Sequence, residues 1–345
     1  MAIHRRPTLA AVAEAAGVSL KTASRVLNDE PHVALATQEK VRAAAVALGF
    51  RRNAMAVDLA RGGTTPLVGF VTADVANRFY ASIAGGMERA LRDSAYQLIT
   101  ASSDEDPARE RQLTEALLDR RVAALVIAPT DADHGYLGRE LTSGTPLVLV
   151  DRPAAGVDAD TVVIDNAGGV RQAVDHLVAD GHRRVGLVGD DPRVWTARER
   201  HLAFVRAMAD HGIADAERLV RDGAHDAATA QRSVTDLLDV PEPPTALLTM
   251  NNRITVGALH ALHERRAAGR TVPALVGFDD FELADLLGVT VVAYDAAEIG
   301  HQAALLALGR TADPTLPARW RTVGTRLVVR GSGERPPPVD DGGPA

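Results

Sequence analysis

The chain of 345 residues contains no cysteine. Disulfides, cysteine-ligated zinc and thiol catalysis are therefore excluded, and the composition fits a reducing compartment. No run of about 18 apolar residues occurs, so no transmembrane helix is expected. Met1 to Arg6 is polar and lacks the apolar core of a secretory signal. These absences point to the cytoplasm. Also missing are a Gly-x-Ser-x-Gly nucleophile elbow, a Walker phosphate loop and a clear dinucleotide fingerprint. His260 and His263 stand three apart on an expected helix without a third ligand, whereas zinc uses three or four. His182 precedes an expected strand and suits turn or capping duty. Asp279 and Asp280 point in different directions at a strand end, which is weak material for acid–base catalysis. The expectation is a protein without metal, cofactor or catalytic site.

What is present is a chain long enough for two or three domains with a large core. Hydrophobic residues make up 46% and charged residues 24%, which does not describe a disordered chain. The net charge of −7, taken alone, argues against a nucleic-acid partner. Its distribution says otherwise. Residues 1–65 hold nine basic and five acidic side chains, a net of +4. The remaining 280 residues hold 29 basic and 40 acidic ones, a net of −11. A basic end on an acidic body suggests an anion-binding module joined to something else.

The first 60 residues read as short helices. Thr8 can cap a segment with Leu9, Val12, Ala13 and Ala16 at helical spacing, closed by Gly17. Ser19 can cap a second helix, with Leu20, Ala23, Val26 and Leu27 as its apolar face. Thr37 is the expected cap of a third helix that runs through Leu48 to Gly49, and a weaker fourth spans about Asn53 to Ala60. From Leu67 the texture changes. Ten β-rich runs are expected: Leu67–Ala73, Gln97–Ala101, Ala123–Ala128, Leu147–Asp151, Val162–Asp165, Val185–Gly189, Ala246–Met250, Ala274–Phe278, Val289–Tyr294 and Thr325–Val329. Helical stretches separate most of them, which implies parallel sheets with right-handed crossovers. Ten strands are many for one small sheet, so two lobes are expected. The tail Glu334–Ala345 is rich in Pro, Gly and Asp and is expected to be disordered.

Helix, tight turn at Gly17, helix is the helix-turn-helix pattern. Its second helix would enter the DNA major groove with Leu20, Lys21 and Arg25 toward the bases. Lys and Arg can pair with guanine, and Leu can meet a thymine methyl. Ser19, Thr22, Ser24 and Asn28 suit phosphate contacts, which position without specifying. From the pattern alone, a three-helix packing module remains the alternative.

The residues themselves are more specific. TLAAVAEAAGVS from Thr8, KTASRVLN ending at Asn28, TQEKVR from Thr37, LGF ending at Phe50 and the pair Asn53–Ala54 strongly resemble the DNA-binding head of the lactose-repressor/galactose-repressor (LacI/GalR) family. In that family the fourth helix is a hinge. An isolated helix of about eight residues is marginal in water and would need DNA and a twin helix to form. The resemblance puts Leu59 at the position of a leucine that wedges into the minor groove, against the alternative of an ordinary linker residue. Arg52 stands where the family usually has proline, Val57 where a polar or basic residue is common, and Asp58 adds a carboxylate near phosphate.

The resemblance continues to about Ser332, through stretches such as LVGFV from Leu67, NRFY ending at Tyr80, VDR ending at Arg152, ARER ending at Arg200 and LVGFDD ending at Asp280. It implies an all-α helix-turn-helix head (1–52), a hinge and linker (53–65) and an α/β two-lobed, periplasmic-binding-protein-like body (66–333). Lobe 1 would be about 66–163 with 293–322, and lobe 2 164–292 with 323–333. Ligands of open parallel sheets bind beyond the strand carboxyl ends. Asp151, Arg152, Asn251 and Asp279 stand at such ends, with Arg198 opening the helix after a strand. Carboxylates, an amide and a guanidinium suit a polyhydroxylated ligand. Phe79, Tyr80 and Trp195 could cover a sugar ring. The resemblance carries ligand contacts onto Asp151, Arg198, Asn251 and Asp279, with Asn77 and Phe79 behind them. Each has a structural alternative: Asp279 and Asn251 as helix caps, Arg198 as a surface ion-pair partner, Phe79 and Tyr80 as core aromatics, Arg152 as a bridge. Tyr294 stands where relatives often have glutamine, which suggests a changed ligand preference.

The implied function is a bacterial transcription regulator, most simply a repressor, allosterically controlled by a small effector such as a sugar bound between the lobes. It would bind double-stranded, pseudo-palindromic operator DNA in the cytoplasm, at the nucleoid, as a homodimer or a larger assembly. Either sign of coupling is open. The alternatives are a sugar-binding component of a transport system and a sugar-metabolising enzyme. The first needs a secretory signal and no basic head, and neither condition holds.

Overall fold

The structure, a computed structural model, describes residues 7–50, 64–130, 133–138 and 144–338. It divides into two units, Met1–Thr65 and Pro66–Ala345. In the first, helices α1 (Leu9–Ala15), α2 (Leu20–Leu27) and α3 (Leu35–Ala47) enclose a small core of Val12, Ala13, Ala23, Val26, Val41 and Ala45. Thr8 caps α1 by accepting from the Ala11 amide, and Ser19 caps α2 by accepting from that of Thr22. Gly17 and Gly49 end α1 and α3 at φ +65° and +64°, the left-handed conformation glycine adopts at least cost. Thr37 is not the cap of α3. That helix begins two residues earlier, after Ala34, whose carbonyl accepts the amides of Thr37 and Gln38. The Gln38 side chain also donates to the Val33 carbonyl and holds the preceding loop. The expected hinge positions Arg52, Asn53, Val57, Asp58 and Leu59 lie outside the described residues.

The second unit contains two six-stranded sheets. Lobe 1 is built from β1 (Thr65–Thr72), β2 (Gln97–Ser102), β3 (Val122–Ile127), β4 (Leu147–Val150), β5 (Asp160–Ile164) and β11 (Trp320–Val323), in the order β11-β5-β4-β3-β1-β2. Lobe 2 has β6 (Val185–Val188), β7 (Val220–Arg221), β8 (Ala246–Thr249), β9 (Ala274–Phe278), β10 (Thr290–Ala293) and β12 (Arg326–Val328), in the order β12-β10-β9-β8-β6-β7. Both orders follow one scheme, with the second strand outside the first and the third to fifth on its other side. Helices between the strands cover the sheets. Among the described residues, those of lobe 1 include α4 (Arg78–Leu91), α5 (Pro107–Asp119) and α10 (Ala296–Ala312). Those of lobe 2 are α6 (Asn166–Ala179), α7 (Trp195–Asp210), α8 (Ala227–Leu238) and α9 (Asn252–Ala267). The central strands β3, β4, β8 and β9 are buried throughout, which is why their sequences are unbroken apolar runs.

All ten expected strands form, and two more appear among the described residues. β7 is two residues long, and β11 is a largely exposed edge strand with little apolar signal. β12 pairs antiparallel with β10, an exception to the expected all-parallel sheets. It is the last strand among the described residues and reaches lobe 2 from β11 in lobe 1 after a short connection, not through a helical crossover. The tail also departs from expectation in its described part. Glu334 accepts from the Thr290 hydroxyl at 3.0 Å and lies 2.5 Å from His176 Nε2, while the His182 ring bonds the Arg335 carbonyl at 2.8 Å. Polar side chains of lobe 2 thus dock Glu334 and Arg335 despite the composition of the tail; residues 339–345 lie outside the described set.

One glycine pair positions the site. A Cβ on Gly86 would lie 1.9 Å from the Ala297 carbonyl oxygen, and one on Gly300 1.9 Å from that of Ile83. Helices α4 and α10 therefore meet backbone to backbone, which fixes the two helix starts that border the cleft between the lobes.

Candidate functional site

In the first unit, the exposed side of α2 carries the candidate DNA contacts. Leu20 is 54% exposed at the helix start, beside the exposed Lys21. Ala23 and Val26 face the core, so the helix is fixed with its polar side outward. The hydroxyls of Ser19 and Thr22 are 2.8 Å apart, and the Asn28 amide donates to Ser24 Oγ at 3.4 Å. Arg25 is not projected on its own. It donates to the Pro31 carbonyl at 2.8 Å and lies 3.4 Å from Glu30, so base readout would require it to leave the α2–α3 loop.

In the second unit, strand ends of both lobes converge on one cleft. In lobe 1, Asp151 directly follows β4 at φ +72°, and in lobe 2 Asp279 directly follows β9 at φ +73°. The two strands hold the same place in their sheets. Their aspartates are both buried, and both adopt a left-handed conformation uncommon outside glycine and concentrated at functional positions. Each amide donates across to the fifth strand, Asp151 to the Val162 carbonyl and Asp279 to the Val292 carbonyl.

Around Asp151, the Tyr80 hydroxyl donates to its carboxylate at 3.2 Å, and Arg152 Nε lies 3.2 Å from the same oxygen. The other edge of the Arg152 guanidinium grips Glu105 at 2.9 and 3.2 Å and reaches the Tyr80 hydroxyl at 2.9 Å. Burial works against the charge of Arg152, but Tyr80, Asp151 and Glu105 outweigh it and hold the guanidinium well above its usual value. Burial raises the Tyr80 hydroxyl in turn. Tyr80 is therefore a buried member of this network and not an open stacking surface, and Arg152 is a bridge within lobe 1.

Around Asp279, the Tyr294 hydroxyl donates at 2.7 Å and the Asn252 amide at 3.2 Å. Burial raises the proton affinity of this carboxyl, opposed by the charge of Arg200, 3.9 Å away. The buried guanidinium of lobe 2 is thus Arg200, whereas Arg198 lies exposed on the other side of α7. Arg200 donates to Asn166 Oδ1 at 2.7 Å and to the Met250 carbonyl, and its guanidinium carbon sits over Phe278, 3.9 Å from the ring centre. The sequence held the signal. Arg200 shares the spacing of Thr196, Ala197, Phe204 and Met208, the buried face of α7, and Arg198 does not.

Asn251 caps α9 by accepting from the Ile254 amide, while its own amide group donates to Asp190 at 3.0 Å. Asn77 caps α4 and accepts from Asn252 of the other lobe at 3.2 Å. The Arg253–Asp74 ion pair also crosses between lobes. Phe79 packs edge-on against Tyr80 and Tyr294, with ring centres 4.8 and 5.9 Å away. It lines a cavity of about 210 Å³ with Asn252, Asp279, Tyr294 and the start of α10. Trp195 is the half-buried first residue of α7. Glu105, Asp190, Asn252 and Arg200 join the cleft beyond the residues singled out from sequence. Chemically, the cleft offers paired donors and acceptors at fixed positions from two bodies, as a polyol requires.

Comparison with known proteins agrees with this architecture. Residues 8–53 match the family described as bacterial regulatory proteins, lacI family, and residues 174–333 the periplasmic binding protein-like domain. The chain is similar to the HTH-type transcriptional regulator PtxS of Pseudomonas plecoglossicida, with 34% identity covering 95% of this chain and 96% of that one. It is 31% identical to the HTH-type transcriptional regulator GalR of Escherichia coli K12, with the same coverage. Among solved structures, the lac repressor bound to ONPG in its repressed state is similar, with a TM-score of 0.80 and 25% identity over 95% of this chain and 100% of that one.

Proposed function

The chain belongs to the lacI family of bacterial regulatory proteins; it is a transcriptional regulator, not an enzyme, and from that premise we propose a repressor that binds operator DNA and is controlled by a small polyhydroxylated effector between its lobes. The observation that carries this reading is the pairing of Asp151 and Asp279. Two buried carboxylates from equivalent places in opposite lobes, each with a tyrosine hydroxyl and a guanidinium nearby, flank one cleft. A ligand held by both sets couples to the relative position of the lobes, and any difference in affinity between two lobe arrangements becomes allosteric free energy, typically ~1–3 kcal/mol. Arg200, Asp279, Asp151, Asn251 and Tyr294 are the proposed effector contacts, with Phe79 against the ring; Arg198 is exposed on the other side of α7.

In the head, Leu20, Lys21 and Arg25 are the proposed base contacts, and Thr8, Ser19, Thr22, Ser24 and Asn28 the proposed phosphate-side contacts. The sequence-based roles of Asn53 and Leu59 in a hinge complete the DNA surface. Two heads on a pseudo-palindrome require a homodimer. The exposed Leu283, Leu286 and Leu287 of lobe 2 form an apolar surface that a second copy would cover. No helix among the described residues is long and apolar enough to cross a membrane, which accords with work in the cytoplasm on nucleoid DNA.

A single pair of variants tests the reading. Arg25→Ala should weaken specific operator binding and leave the effector-induced thermal shift in place. Arg200→Ala should do the reverse, removing a shift that saturation at ~100 times the dissociation constant would make worth about 2.7 kcal/mol. An Arg200→Ala protein with an unchanged shift would refute the cleft as the effector site.

A further inference from the structure

We propose that the cleft takes an effector without negative charge, an uncharged or amine-bearing polyol, and that Asp190 enforces this preference against phosphorylated and acid sugars. The inference rests on the effector reading above and adds the chemical class of the ligand.

At the strand ends on the cleft, the carboxylates of Glu105, Asp151, Asp190 and Asp279 stand with the guanidiniums of Arg152 and Arg200; Arg78 joins the cavity lining, 3.8 Å from Glu282. Neither guanidinium presents an unopposed charge to an anion. Both edges of Arg152 are taken by Asp151, Glu105 and Tyr80. Arg200 is committed to Asn166, Met250 and the face of Phe278, and it lies 3.9 Å from Asp279, so an anion that reached it would also meet that carboxylate.

Helix starts are the other common anion sites, and here they carry internal acceptors. Asp279 takes the Asn252 amide at the start of α9, and Asn251 takes that of Ile254. Asp295 takes the Ala297 and Glu298 amides of α10, and Asn77 takes the Phe79 amide of α4. The start of α7 has no side-chain cap, but Asp190 and Asp191 stand in the chain just before it. The cavity repeats the pattern, with Asp279, Asp280 and Asp295 in its lining against Arg78.

Asp190 has the best placement to discriminate. It follows β6, the first strand of lobe 2, at the point where the strand order reverses and open sheets bind their ligands. Its carboxylate is oriented by the Asn251 amide at 3.0 Å and the Asp191 backbone amide at 2.7 Å. Burial raises its proton affinity and the charge of Glu105 adds to this, while the Asp191 amide, His225 and Arg152 oppose it without reversing the direction.

The test uses the full-length protein and matched probes: glucose, glucosamine, glucose 6-phosphate and gluconate, and fructose beside fructose 1-phosphate. Binding is measured by calorimetry, and operator affinity with each sugar by fluorescence anisotropy. The sugar that binds should be uncharged or an amine, at least about tenfold tighter than its phosphate or acid counterpart. Asp190→Asn should narrow that gap at least threefold, and Asp190→Glu, which keeps the charge, should restore it. Tighter binding of a phosphate or acid sugar, or a gap unchanged in Asp190→Asn, overturns the inference. If such an anionic sugar also shifts operator affinity, the effector reading stands and only the charge class falls. If an uncharged sugar binds with the expected preference but operator affinity does not move, the charge class stands and the effector reading falls.

Discussion

The two lobes repeat one plan and use it differently. Each sheet has the same strand scheme, and each sets a buried left-handed aspartate after its fourth strand with a tyrosine hydroxyl on the carboxylate. In lobe 1 the guanidinium is the chain neighbour of the aspartate, and the network closes on itself through Glu105. In lobe 2 the guanidinium comes from a separate helix. It bonds neutral groups and stops 3.9 Å short of the carboxylate. A contact ion pair is satisfied without ligand, whereas charges held apart leave room for a hydroxyl that donates to one and accepts from the other. The same motif therefore braces lobe 1 at the cleft wall and leaves the more open seat for ligand in lobe 2.

The largest expected effect tests the braced side. Arg152→Ala leaves Asp151 buried without its cation and should lower unfolding stability by about 3–5 kcal/mol in urea titrations. A loss below about 1 kcal/mol would mean that the network does not brace lobe 1. Next comes Asp279→Asn, which tests the prepared side through pH. Because burial raises the folded-state pKa of Asp279, the folded protein takes up a proton before the unfolded chain does. From this group, stability is gained as pH falls through the raised value toward the ordinary aspartate value near about 4, and lost as pH rises through it. The asparagine variant should flatten that slope while abolishing effector binding; a slope unchanged by the substitution would sink the assignment. The smallest effect separates the tyrosines. Tyr294→Phe should cost about 1 kcal/mol of stability and weaken effector binding more than Tyr80→Phe does, because only Tyr294 lines the cavity. Equal effects on binding would erase the distinction between the lobes.

How far the sequence reached follows from the range of the interactions. Thr8 and Ser19 are legible as caps because a cap acts over three residues. Strands such as β4 are legible because burial on both faces demands an unbroken apolar run. Asp151, Asn251 and Asp279 are legible as residues at the cleft because strand ends in open sheets border it. Thr37 misleads as a cap, since the Ala34 carbonyl three residues earlier starts the helix without any side-chain signal.

By itself, then, the sequence determined a basic helical head, a larger acidic body of alternating strands and helices, and the strand ends that carry the polar residues. These follow from local periodicity, capping and charge, which need only neighbours in the chain. Tertiary structure alone decided which partner each polar group takes: Glu105 on Arg152, Asp190 on Asn251, Arg200 beside Asp279, and Glu334 against His176 and Thr290. Those pairings join segments far apart in the chain, and a side chain's own position does not specify the distant group that folding brings within reach.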